Sequence, residues 1–152
     1  MKNVAALLMC AGVILSGCAT FGTGSSQTPV DGVISMINSG DAGTLVEASA
    51  LPFVYDGEII MRVGDIETLW KNLSRNDFRI DDVRKIETAQ ISASSFRLFS
   101  PSKEMEFFFQ RYVPDDAYTA RLSRNSGDFI LLLGEVDTGV LQILGMSGPK
   151  ED

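Results

Sequence analysis

Leu51-Pro52-Phe53-Val54-Tyr55-Asp56-Gly57-Glu58-Ile59-Ile60-Met61-Arg62-Val63 is the stretch on which the fold turns. Two β-prone apolar runs flank Asp56-Gly57. An Asp-Gly pair between such runs marks a tight hairpin, because the favoured two-residue turn needs positive φ at both central positions. Gly64-Asp65 stops the second run, and Asp65 is suited to capping a helix. Ile66, Leu69, Trp70 and Leu73 follow at i, i+3, i+4 and i+7, with Lys71, Asn72 and Arg75 opposite, which predicts an amphipathic helix.

Upstream, Val30, Val33, Ile34 and Ile37 carry the same period and predict a helix over 30–39. Asp41 opens a second, short helix over 42–49, with Leu45 and Ala48 on one face. Downstream, 78–91 reads as a strand with Ile80, Val83 and Ile86 set among charges, the pattern of a bulged or exposed edge. Ser92 to Ser95 is a loop and Phe96 to Phe99 a short strand. Ser100-Pro101 opens another helix, Ser as N-cap and Pro at the first position, bearing a Met105, Phe108, Phe109, Tyr112 stripe that ends at Val113-Pro114.

The rest reads as β structure. Residues 117–123 alternate, Arg124 to Gly127 turn, and Phe129 to Val136 is apolar enough to be a central strand covered on both faces. Asp137-Thr138-Gly139 is the next turn, 140–146 the last strand, and 148–152 a tail. Helices gathered ahead of strands point to an α+β fold: N-terminal helices packed on a curved antiparallel sheet that ends in a three-stranded meander.

The order helix, helix, strand, Asp-Gly, strand, Gly, helix resembles the NTF2-like (SnoaL-like) superfamily. The matching pieces are Phe53-Val54-Tyr55-Asp56-Gly57, Gly64-Asp65-Ile66 and Leu69-Trp70, within a single domain over 30–147. The resemblance implies a cone of helices closing on a curved sheet around a pocket. Tyr55, Asp56, Arg62 and Trp70 would line it, with Phe108 as a wall. In enzymes of that superfamily an acid–base group inside the cone does the chemistry, and here it would be Asp56 or Tyr55. Asp56 also has the plainer role of turn residue, and Trp70 that of core. The helix after Ser100 is additional to the simplest pattern of the superfamily, whose domains often dimerise through their sheets.

The N-terminus carries a different message. Lys2 is the only charge before Cys18, and Val4 to Leu15 is an apolar run too short to span a bilayer comfortably. Leu15-Ser16-Gly17-Cys18 then closely resembles the lipobox of bacterial lipoproteins. That resemblance implies a signal peptide over 1–17, diacylglycerol on the Cys18 thiol, cleavage before Cys18, and an acyl chain such as palmitate on the new amine. Ala19 and Thr20 include no aspartate, so by the enteric sorting rule the protein would go to the outer membrane and face the periplasm. Residues 18–29 are rich in Gly, Ser and Thr and read as a lipidated tether reaching roughly 15–20 Å.

Composition narrows the chemistry. The chain has no histidine and two cysteines, Cys10 in the signal and Cys18 at the lipidation point. The domain therefore has no imidazole for acid–base work, no cysteine nucleophile and no disulfide. A net charge of −7 disfavours nucleic acid and anionic lipid headgroups as partners. Asp81-Asp82 and Asp115-Asp116 lack the ligand spacing of a calcium loop and read as solvated turns. No cofactor or metal is expected. The expected function is a non-catalytic binding domain on a membrane anchor, its partners being membrane lipid through acylated Cys18, an envelope protein, and, by the family resemblance, a second copy of the chain. Phe107, off the face of its helix, is the candidate partner contact. The alternative is a cone-pocket enzyme of isomerase or hydratase type, or a carrier of a small hydrophobic ligand.

Overall fold

The computed structural model describes residues 28–135 and 140–150. The lipobox, most of the tether and the turn at 137–139 lie outside the described residues. In chain order the elements are α1 (Pro29–Ser39), α2 (Ala42–Ala48), β1 (Ser49–Tyr55), β2 (Glu58–Ile60), α3 (Val63–Arg75), β3 (Lys85–Gln90), a 3₁₀ turn (Ser95–Leu98), α4 (Lys103–Tyr112), β4 (Tyr118–Ser123), β5 (Asp128–Glu135) and β6 (Leu141–Lys150). The fold is α+β.

The hairpin at its centre forms as its turn residues dictate. Asp56 sits at φ 46° and Gly57 at φ 88°, and Tyr55 pairs with Glu58. The strands join into one open sheet in the order β2-β1-β6-β5-β4-β3. Neighbours are antiparallel except β1 and β6, so the sheet is mixed rather than wholly antiparallel. The Asp56 carboxylate fastens the hairpin turn to β6, accepting from the Gly148 amide at 2.8 Å and the Ser147 hydroxyl at 3.2 Å.

The central strand β5 sorts its side chains by parity into two cores. Phe129, Leu131 and Leu133 pack with Val33, Ile37, Leu45, Ile66 and Trp70 from α1, α2 and α3. Ile130 and Leu132 pack on the other face with Phe96, Phe99, Met105, Phe108 and Phe109 from the 3₁₀ turn and α4. Helices therefore cover both faces of the sheet.

Four local readings are corrected. Asp65 does not cap α3; Arg62 holds that position, and the Asp65 carboxylate, one turn in, pairs with its Nε at 2.9 Å. Phe96 to Phe99 is not a strand. A strand would send these two rings to opposite faces, whereas three-residue spacing in a 3₁₀ turn sends both into the second core. That turn holds the Ser100 amide on the Phe96 carbonyl, so α4 starts later than Ser100-Pro101 suggests, capped by the Ser102 hydroxyl on the Met105 amide at 3.1 Å. Residues 148–150 are not a tail: β6 runs on to Lys150, opposite Asp128.

The strand expected over 78–91 is regular only from Lys85. Asp77 and Asp82 take positive φ and break the extended path. Between them the side chain of Asn38 stands in for a strand neighbour, accepting from the Ile80 amide at 2.7 Å and donating to its carbonyl at 3.2 Å.

Thr28 caps α1 in a capping box completed by Asp31, and Asp41 caps α2. Asp31 accepts from both the hydroxyl and the amide of Thr28, and Asp41 from the Thr44 hydroxyl and the amides of Thr44 and Gly43. Side-chain hydrogen bonds first, and backbone ones second, hold both carboxyls below their ordinary range. A carboxylate with a depressed folded pKa stabilises the fold above its unfolded value of about 4 and loses that contribution as pH falls through the folded value. We expect the urea midpoint of the wild type to exceed that of Asp31→Asn/Asp41→Asn at pH 7. The gap should close as the pH drops below about 4. A gap unchanged between pH 7 and pH 3 would show that the caps do not act through their charge.

Candidate functional site

The five residues singled out around the hairpin do not share one pocket. Trp70 is buried in the core under α1–α3, its ring edge-on to Phe53 at 6.1 Å and its Nε1 donating to the Ser49 hydroxyl at 2.9 Å. Tyr55 is half-buried on that same side, and burial, then the nearby Asp56 charge, raises its phenol above the ordinary range. Phe108 belongs to the core on the opposite face of the sheet. Asp56 is exposed at the turn, and Arg62 is exposed at the start of α3. Periodicity identified apolar faces but carried no information on which side of the sheet each helix would lie.

Of the concavities on the described residues, two bear on function. The first lies between the first turn of α1 and the β3–β4 end of the sheet, about 520 Å³, walled by Pro29, Val30, Ile86, Thr88, Gln90 and Tyr118. Burial, and then the charge of Glu135, raises the Tyr118 phenol, so its hydroxyl is neutral there and can donate one hydrogen bond.

The second lies where α4 passes the β2 edge, about 400 Å³, walled by Ile59, Met61, Phe107, Phe108 and Tyr112, with Lys103 and Glu104 at the rim. Its outer residues are large, apolar and open to solvent: Phe107 is 59% exposed, Met61 57% and Tyr112 43%. Of the expected Met105, Phe108, Phe109, Tyr112 stripe, α4 turns the first three onto the sheet while Tyr112 stays open to solvent, and Phe107 is left outward, as its off-face position indicates. What sequence reasoning did not supply was the other wall. Met61 follows the last residue of β2, and only the hairpin geometry brings it beside α4.

The chain matches no family model, no curated protein and no solved structure. Its chemistry must therefore be read from these surfaces. Among the described residues no group of three or more His, Cys, Asp or Glu side chains is placed to hold a metal ion, and no helix is long and apolar enough to cross a membrane. The α4 groove can bury apolar side chains of a partner, with one charge of each sign at its rim for orientation. The α1–β3 groove can take a small apolar group and offer it the Tyr118 hydroxyl.

Proposed function

We propose that this chain is a bacterial envelope lipoprotein, anchored through acylated Cys18 and facing the periplasm from the outer membrane, whose domain is a non-catalytic binding module. The observation that carries the binding role is the α4 groove. Three large apolar side chains, Met61, Phe107 and Tyr112, stand open around one depression, while the remaining apolar surface of α4 is packed inward. Clustered exposed apolar side chains of this kind mark contact sites, and aromatic residues and Met are enriched in the buried centres of interfaces. The proposed partner is another envelope protein. Support for the anchor comes from the lipobox Leu15-Ser16-Gly17-Cys18 and the apolar run ahead of it.

The finer architecture we propose is an NTF2-like cone. Its support is the first hairpin rejoining the last strand in parallel, with α1–α3 on one face of the sheet. In that reading α4 is an addition that covers the sheet face opposite the cone. The second functional reading, a carrier of a small hydrophobic ligand, is favoured by the α1–β3 groove and its Tyr118 hydroxyl.

One experiment addresses anchor and partner together. Native mass spectrometry of protein extracted from membranes is expected to show a chain beginning at Cys18 with added mass of acyl-chain size. Crosslinking in cells is expected to give an adduct that Phe107→Asp removes, while the stability of the purified variant stays within about 0.5 kcal/mol of wild type, as for other surface changes. An unmodified Cys18 would sink the anchor. An adduct indifferent to Phe107→Asp would sink the α4 groove as the contact.

A further inference from the structure

β3 ends the sheet: among the described residues its one strand neighbour is β4. Its hydrogen-bond parity can be read at its C-terminal end. The Ile91 amide donates to the Ala117 carbonyl in the register of the ladder, and the Ala89 carbonyl accepts from the Thr119 hydroxyl at 3.4 Å. The Arg84 amide, just before the strand, reaches the Ser123 carbonyl one residue out of that register. Residues 85, 87, 89 and 91 therefore direct their backbone groups to β4, because the pairs alternate along an antiparallel ladder. By that parity the amides and carbonyls of Ile86, Thr88 and Gln90 face away from β4, and among the described residues no turn, loop or cap backbone group bonds to them.

Long open edges are usually blunted by proline, inward charges or a covering element. Here the outward-facing positions carry Ile86, Thr88 and Gln90, with no proline or charge among them. Their side chains lie on the groove side, beside Val30 and Tyr118. Lys85 and Glu87 project from the other face and pair with each other at 2.7 Å, and Arg121 stands opposite Glu87.

We propose that β3 is a self-association edge, and that a second copy of this chain pairs antiparallel with it about a two-fold axis at Thr88. In that register Thr88 meets Thr88 of the second copy and Ile86 meets Gln90 in both directions. All six outward backbone groups of each copy then find partners, whereas an axis at Ile86 would use the Arg84 amide, already bonded to Ser123. Facing threonines suit such a seam. The charges suit it as well, since each Glu87 carboxylate keeps its own Lys85.

The axis stands normal to the sheet, so α1–α3 of both copies lie on one side. Thr28, the residue from which the chain leads back to Cys18, adjoins this edge in each copy. The two tethers would leave from the same side of the pair and reach a single leaflet. Confinement to that leaflet raises the effective concentration for a short seam. The inference uses the lipoprotein reading only for where the tethers lead; the register stands without it.

The test uses the full-length protein in its own membrane. Thr88→Cys is treated with a bifunctional thiol-alkylating crosslinker spanning about 5.5 Å, the distance between facing residues of a hydrogen-bonded pair. Glu58→Cys on the opposite edge and the wild type are treated alongside. We expect a dimer-sized adduct at 88 and none at 58. Adding Gln90→Pro should reduce the adduct at least tenfold, since the Gln90 amide faces outward and proline there leaves the β4 ladder intact. The far-UV unfolding curve of that variant checks that the fold survives. No adduct at 88, equal adducts at 58 and 88, or an adduct that survives Gln90→Pro would each overturn the proposal. An adduct from the wild type would mean a free thiol at Cys10 or Cys18 and count against the anchor. The Thr88, Glu58 and Gln90 comparison in a Cys10→Ser/Cys18→Ser background would then decide the edge alone.

Discussion

Trp70→Ala is expected to cost about 3–5 kcal/mol, the usual range for deleting a large buried aromatic. Trp70 is 1% exposed, and its indole joins α3 to Phe53 and Ser49 of β1. It packs edge-on against Phe53, which is itself fully buried, and donates to the Ser49 hydroxyl. Alanine removes the packing and leaves the Ser49 hydroxyl without that donor. Trp70→Phe separates the two losses: it keeps most of the ring volume, and dropping the hydrogen bond adds about 1 kcal/mol to its smaller cavity cost. The chain contains one tryptophan, so both variants are followed by far-UV circular dichroism in urea rather than by fluorescence. A loss under about 1.5 kcal/mol for Trp70→Ala would mean that α3 does not rest on this contact.

Gly145→Val should be comparably damaging for the opposite reason. Gly145 faces Val54 across the parallel seam between β1 and β6. A Cβ there would lie 2.7 Å from the Val54 carbonyl oxygen and 2.9 Å from its Cβ. The nearest obstacle is backbone, so the strands must separate, and overpacking of that kind costs about 3 kcal/mol or more. Gly32 provides the contrast. It sits inside α1 with no heavy atom within 4 Å of a built Cβ, and Gly32→Ala should stabilise the protein by about 0.5–1 kcal/mol. Urea midpoints of the two variants should therefore move in opposite directions. A neutral Gly145→Val would show that the seam is looser than described.

The sequence was most legible where chemistry is local. Asp56-Gly57 announced its turn because few residue pairs accept positive φ twice. The stripes of α1, α3 and α4 announced helices because each has one face to bury. The apolar run of β5 announced a strand with no solvent side, and both faces of that strand are indeed covered. Legibility ended where distant segments meet. Nothing in the spacing of Trp70 or Phe108 indicates that α3 and α4 lie on opposite faces of the sheet, so two residues grouped as pocket lining fall in separate cores. The parallel pairing of β1 with β6 was equally silent, because neither strand carries a mark of its partner. Phe107 could be read as the outward residue of its helix, but Met61 could not be read as its neighbour.

The fastening of Asp56 to β6 also sets a timetable. Its partners Ser147 and Gly148 are 91 and 92 positions further along the chain. A polypeptide delivered from its N-terminus yields α1, α2, the hairpin and α3 long before the strand that completes their sheet. Until β6 arrives, β1 lacks the neighbour that closes it on one side, and Phe53 and Val54 have only part of their final surroundings. Closing so long a loop is slow, and chains governed by such distant pairings fold in milliseconds to seconds rather than microseconds. Maturation of this domain is thus held back to the end of its delivery, and the last strand acts as the latch.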